Sequence, residues 1–360
     1  MTEPTRAGDE RLRRLLTWRE SSTSGEAIEA AVAAARSAPI GVHEIIARAG
    51  RIVVSGAGSS YYLALVAAAA AREATHRPFV AAPLSEILLR PDGVFVGTSP
   101  ATEPVVVISR SGSTSEAVDV ADRARELGHP TIAVTCRADS PLSSRCDVTL
   151  VSPAGDEEAI VMTRSFASML ALLLRVVAVA AADRVLGADL DRAATAWPSV
   201  SAAAAVGQEL GASDWDRIVV LGGGAAFGIA AEWGLKLTET SQVPTSVYEP
   251  LEFRHGPVSV CEPGVLVVGL IGGAGAAEEL RVMAEAARFG AATWVLARDE
   301  EEARGASGTV SLIGGGLHPL ARLPLLLRPV HALALSLALT RGCDPDAPRH
   351  LGQVVIIDPR

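Results

Sequence analysis

"RIVVSGAGSSYYLALVAAAA", residues 51–70, joins a β-branched run to an alanine-rich one through a short stretch of Ser, Gly and Ala. The uncharged run from Ile52 to Ala71 is long enough to raise the question of a membrane span. "SGAGSS" breaks it where a spanning helix needs continuous apolar residues, so the segment reads as strand, turn and helix. The same plan recurs at residues 217–236 as "RIVVLGGGAAFGIAAEWGLK". A second pair repeats it: "VVVISRSGSTSEAVDVADRARELGHPTIAV" (105–134) and "VLVVGLIGGAGAAEELRVMAEAARFGAATWVL" (265–296) both read strand, small-residue loop, helix, strand. Repeats of this kind predict two similar domains.

Working outward, "PTIAVT", "DVTLVS" and "ATWVLA" complete a set of apolar strands that alternate with helical stretches. Continuous apolar strands between helices signal parallel sheets covered on both faces, an α/β fold. The helix after Ser115 places Ala117, Ala121, Ala124 and Leu127 on one face, and Gly128 stops it. The expected organisation is a helical segment over 1–42, a first domain over 43–198, and a second over 199–360 with a C-terminal tail. The helical segment is too polar to stand alone, which predicts that it packs on a domain or on a second subunit.

Composition narrows the function. The 360 residues are 49% hydrophobic, the net charge is −9 and Lys and Arg are scattered, which argues against a nucleic-acid partner. Charges interrupt "MTEPTRAGDERLRRLL" where a signal peptide needs an apolar core. The four cysteines form no CxxC pair and read as reduced thiols, so a cytoplasmic protein without membrane attachment is expected.

The two copies differ in their loops. The first carries Ser59, Ser60, Ser109, Ser111, Ser113, Thr114 and Ser115; the second has "GGGAAFG" and "IGGAGAA" there. A hydroxyl-rich loop between a strand end and a helix N-terminus offers N–H donors and the positive end of the helix dipole to an anion. Such residues also serve as plain N-caps with no ligand. Two such loops after strands of one parallel sheet converge at its carboxyl edge, which favours an anion site. "SRSGSTSE" lacks the Gly-Lys-Ser/Thr ending of a nucleoside triphosphate loop, and "GAGSSY" lacks the third glycine of a dinucleotide fingerprint. A monophosphate fits better.

The second half carries other chemistry. Glu232, Lys236 and Glu239 recur at helical spacing, a stripe that reads as solvated or salt-bridged. In "FRHGP", His255 stands between Arg254 and a Gly-Pro pair in a loop, where an imidazole can move protons. His43, His76, His129, His318, His331 and His350 lie singly. No pair has metal-ligand spacing, and neither a metal nor another cofactor is expected.

"SGAGSSYYLA", "ISRSGSTSEAV", "MTRSFASMLALLL", "AEWGLKLTET", "EFRHGP" and "DPDAPRHLGQVV", in that order, resemble the double sugar isomerase (SIS) domain family from about His43 onward. The likeness is to the isomerase half of glucosamine-6-phosphate synthases and to tagatose-6-phosphate ketose/aldose isomerase-type phosphosugar isomerases and deaminases. Arg110, "MTRSF" and "TWRE" (Thr17 to Glu20) lean toward the latter.

The resemblance implies two tandem flavodoxin-like three-layer sandwiches. It places phosphosugar binding at Ser59, Ser60, Ser109, Arg110, Ser111, Gly112 and Thr114, with Arg254 and Gln353 as further substrate contacts. It makes Glu239 the carrier of the C1/C2 proton and His255 the ring-opening residue, reaching a neighbouring subunit's site in a homodimer.

The implied activity is aldose–ketose isomerisation or deamination of an amino-sugar 6-phosphate. Cleavage of fructosamine 6-phosphates and non-catalytic sugar-phosphate binding are the alternatives. Gln353 stands where synthase relatives carry a lysine, a departure from synthase-type chemistry. The sequence shows no glutaminase part ahead of the isomerase part, so glutamine-dependent synthesis is not expected.

Overall fold

The computed structural model describes residues 10–96 and 99–356. The first nine residues of the charged opening stretch lie outside them. The described chain divides into two compact units. The first holds Ser24–Glu157, Arg164–Arg192 and the described residues from Gly352 on; the second holds the described residues up to Thr23, Glu158–Thr163 and Ala193–Leu351.

In the first unit, helices α2 (Ser24–Arg36) and α3 (Ile40–Arg48) lead into β1 (Ile52–Gly56), α4 (Ser59–Thr75) and β2 (Phe79–Pro83). Then come β3 (Val105–Ile108), α5 (Ser115–Glu126), β4 (Thr131–Thr135), β5 (Val148–Val151), α6 (Arg164–Ala180) and α7 (Arg184–Asp191). The strands form one parallel sheet in the order β2-β1-β3-β4-β5. Every residue of β1, β3 and β4 is buried, as continuous apolar runs require when helices cover both faces. Val53, Val105, Val107 and Ala133 pack with Ala117, Val120, Ala121 and Ala124 of α5; Ala117, Ala121 and Ala124 belong to the face expected for that helix, whereas Leu127, also expected there, is only half-buried.

The second unit opens with α1 (Leu16–Ser22), then runs from α8 (Trp197–Gly211) through β6 (Arg217–Gly222), α9 (Ala226–Ser241), β7 (Thr245–Tyr248) and β8 (Val265–Leu270). It continues with α10 (Ala276–Arg288), β9 (Ala292–Ala297), β10 (Thr309–Leu312) and α11 (Leu327–Thr340). Its parallel sheet runs β10-β9-β8-β6-β7, the same order read from the other edge. Both sheets are therefore flavodoxin-like, with the strand order reversing beside β1/β3 and β6/β8, where ligands of this architecture bind.

The duplicated glycine has a steric cause. A Cβ on Gly56 would lie 2.4 Å from the Ser60 carbonyl, and one on Gly222 would lie 2.6 Å from the Ala226 oxygen. In each copy the following helix turns back so tightly on the strand that no side chain fits.

The apolar run at residues 51–70 is strand, turn and helix, as read. The one described helical run long and apolar enough to cross a membrane is Pro319–Thr340, and most of it is buried inside the protein. The four cysteines are free thiols.

Candidate functional site

In the first unit the loops after β1 and β3 lie side by side at the strand-order reversal. Ser59 and Ser60, the first residues of α4, are buried, as are Ser109, Arg110 and Ser111. Ser109 Oγ and Thr114 Oγ1 share a hydrogen bond at 3.3 Å, and the Ser113 amide donates to Ser111 Oγ at 3.2 Å. Gly112, at φ +62°, lets the loop pass against Ser140. The N-cap positions of α4 and α5 are Gly58 and Thr114, and neither caps its helix through a side chain. At the N-cap of α5 the Thr114 hydroxyl is thus not used as a cap, a point the sequence left open.

Arg110 is fastened on several sides. A guanidinium nitrogen lies 3.7 Å from the buried Glu157 carboxylate, and another donates to the Gln353 carbonyl at 2.8 Å. Ser165 Oγ also donates to Glu157. Gln353 Nε2 donates to the Glu157 carbonyl at 3.1 Å, and the Ser115 amide donates to the Val355 carbonyl at 3.3 Å. The tail segment 353–355 therefore lies over the loop after β3. Glu157 is a residue the sequence reading missed; a lone carboxylate in a loop, 47 positions from its partner arginine, carries no periodic signal.

In the second unit, α9 carries the charged stripe as a salt-bridged set. Lys236 is fully buried, with Nζ 2.6 Å from Glu239 Oε2 and 3.3 Å from Glu232 Oε1. Burial pulls the Lys236 pKa down, but the carboxylates of Glu232 and Glu239 outweigh it and the net shift is upward. Glu239 keeps part of its side chain in solvent. His255 is exposed on the turn after Phe253, followed by Gly256 and Pro257. Arg254 pairs with Glu285 through two hydrogen bonds of 2.8 and 3.0 Å.

The second sheet's counterpart loops are filled by the chain's own carboxylates. Glu279 Oε2 accepts from the Gly272 amide at 3.1 Å, and Glu302 Oε1 accepts from the Gly273 amide at 3.1 Å. Glu279 Oε1 lies 2.7 Å from where a Gly223 Cβ would stand, so its carboxylate bridges the loops after β6 and β8. Burial pushes its pKa up to about 7, with Glu302 adding to the rise and the Gly272 amide and Arg322 opposing it.

Of the residues singled out by sequence, the phosphate set and Gln353 fall in the first unit, and Glu239, Arg254 and His255 in the second. Within the first unit Ser109 is hydrogen-bonded to Thr114, and Arg110 to the Gln353 carbonyl.

The SIS domain family model matches residues 45–180 and 212–306. The chain belongs to the SIS domain family. It is 27% identical over 319 residues to a glutamine–fructose-6-phosphate aminotransferase (isomerizing) of Shouchella clausii, an alignment covering 86% of this chain and 52% of the relative. The chain thus spans about half the length of that relative. The C-terminal domain of glucosamine-fructose-6-phosphate aminotransferase from Francisella tularensis superposes with a TM-score of 0.84 at 19% identity, over 92% of this chain and 98% of that one. Tagatose-6-phosphate ketose/aldose isomerase from Escherichia coli does so with a TM-score of 0.83 at 22% identity, over 96% and 97%. These structures share the fold of both units.

Proposed function

We propose that this SIS-domain chain is a phosphosugar isomerase or deaminase acting on an amino-sugar 6-phosphate. The observation that carries the proposal is the division of labour between its halves. One has a hydroxyl-lined loop pair whose helix N-cap positions, Gly58 and Thr114, make no side-chain cap; the other has a partly exposed carboxylate, Glu239, held by a buried ammonium. Ser59, Ser60, Ser109, Ser111, Gly112 and Thr114 bind the phosphate through hydroxyls and backbone amides, turning remote binding energy into orientation of the reacting end. Arg110 positions the tail against this loop through Gln353.

His255 moves the proton that opens the sugar ring, and Glu239 then takes the C2 proton and returns it to C1 through an enediol or enolamine. With a 2-amino group the enolamine becomes a C2 imine, which water hydrolyses to ammonia and the ketose phosphate. A homodimer in which His255 serves the neighbouring copy belongs to this reading, supported by the exposure of that histidine.

The Gln353 amide, bonded to the Glu157 carbonyl, supports a second reading, since it supplies no ammonium for an open-chain sugar. The protein would then bind sugar phosphates without turning them over, or cleave fructosamine 6-phosphates. Incubation with glucosamine 6-phosphate, galactosamine 6-phosphate and fructosamine 6-phosphates, following ammonia and ketose release, separates these. Ammonia from either amino sugar is the expected result. Tight binding with no turnover on any of them would overturn the enzyme reading.

A further inference from the structure

Among the described residues, three arginines are buried, and two of them are matched by acceptors. Arg110 faces Glu157 and the Gln353 carbonyl. Arg322 donates to the carbonyls of Ile271, Leu296 and Ile313 at 2.8 to 2.9 Å. Arg328, only 7% exposed, has neither arrangement. Its Nη2 donates to Ser22 Oγ at a long 3.3 Å, its guanidinium carbon lies 4.1 Å over the Trp18 ring, and Nη1 has no hydrogen-bond partner among the described residues.

Burial alone pushes the Arg328 pKa down, to about 10, with no carboxylate offsetting it. One turn further along α11, His331 is buried with both ring nitrogens unpartnered among the described residues. Its pKa is held well below the ordinary value by burial and then by the charges of Arg328 and Lys236. Lys236 has its own carboxylates in Glu232 and Glu239, so Arg328 is the charge here without a matching anion among the described residues.

A cation buried without a counter-charge is costly, and stacking on an indole offsets only part of that cost. The remainder calls for an anion from outside the chain. Arg328 lines a cavity of about 230 Å³ in the second unit, walled by Trp18 and Ser22 of α1 and by Trp197, Ser201 and Gln208 of α8. That volume lies below the ~300–1,000 Å³ of drug-sized sites and suits a compact molecule. Aromatic walls suit an apolar or planar body, and the guanidinium suits two oxygens at once.

We propose that this cavity binds a small organic oxyanion, a carboxylate or phosphate monoester, whose charged end pairs with Arg328 and whose apolar body rests against Trp18 and Trp197. The site is separate from the phosphate loops of the first unit and does not depend on the phosphosugar reading.

Titration with benzoate and with phenyl phosphate, read by intrinsic tryptophan fluorescence, tests it. A saturable change is expected with at least one of the two. A preference for benzoate identifies a carboxylate ligand, and the reverse identifies a phosphate ester. Arg328→Met should weaken the response at least tenfold. Because that variant risks misfolding, Ser201→Phe, an exposed substitution that narrows the cavity mouth and leaves Arg328 intact, should weaken it as well. The Ser109→Ala/Ser111→Ala double variant should respond like the wild type. Absence of a saturable response to both anions would overturn the proposal. So would a response that Arg328→Met and Ser201→Phe both retain, or one lost in the double serine variant.

Discussion

At the carboxyl edge of the first sheet, Ser109, Ser111 and Thr114 line the loop proposed to hold a phosphate. At the matching edge of the second sheet, Glu279 and Glu302 take the backbone amides of Gly272 and Gly273 for themselves. Strand order, the tight glycine and the returning helix are common to both. Two edges of one design therefore differ in what their loops present: hydroxyls at the first, where a ligand's phosphate is proposed to bind, and the chain's own carboxylates at the second. The lesson is that a shared backbone leaves amides available in both halves, and a few side chains decide who uses them.

The comparison can be broken or sharpened by substitution. The largest expected effect is on the chemistry assigned to the second half. Glu239→Gln keeps the shape but removes the base, and kcat should fall about 10³-fold, equivalent to about 4 kcal/mol, with KM little changed. Unaltered ammonia or ketose release in a coupled assay would remove Glu239 from its role.

Removing a buried charge should then act with opposite signs at the two edges. Arg110→Met leaves Glu157 buried without its guanidinium, which should destabilise the first unit by about 3–5 kcal/mol in denaturant unfolding. It should also free the tail for proteolysis at Gln353–Val355. A melt indistinguishable from wild type would show that this ion pair contributes nothing.

Glu279→Gln should do the reverse. The folded pKa of Glu279 is raised to about 7 from an ordinary 4.5, so between those values the unfolded state releases a proton that the folded state keeps. Stability from this group is fully present below about pH 4.5, falls as pH rises through the window and is lost above about 7. The stability of Glu279→Gln relative to wild type should therefore grow by up to about 3 kcal/mol between pH 4 and pH 8. Equal differences at both pH values would refute the assignment.

The smallest effect is expected at the first edge itself. Ser111→Ala removes one hydroxyl from the loop and should weaken inorganic phosphate binding about tenfold, or ~1–1.5 kcal/mol, by calorimetry. Phosphate affinity that survives both Ser111→Ala and Ser109→Ala would return these hydroxyls to a structural role.

Much of the fold is legible in the sequence because its strands are buried on both faces. The cores of β1, β3, β4, β6, β8 and β9 are continuous apolar runs, and β5 follows the same signal. The strands that escaped the reading are β2, β7 and β10, and each lies at a sheet edge. "FVAAP" ends in proline and is only partly buried, every residue of Thr245–Tyr248 is half-buried, and Thr309–Leu312 exposes Val310 and Leu312. An edge strand has one neighbour and one thinly covered side, so its composition need not be apolar. The candidate site is legible where its residues are consecutive, as in "SRSGST", and where helical spacing gathers Glu232, Lys236 and Glu239.

What the sequence determined by itself is the duplicated strand, glycine turn and helix, and the concentration of hydroxyls in one copy. These are local patterns, read from neighbours along the chain. Only the tertiary structure decided that Gln353 and Val355 cover the first loop, that Glu157 holds Arg110, that Glu279 fills the second edge and that Arg328 is left without an anion. Each of these depends on which side chains meet across many positions, and whether a buried charge finds its partner is settled by packing, which no periodicity encodes.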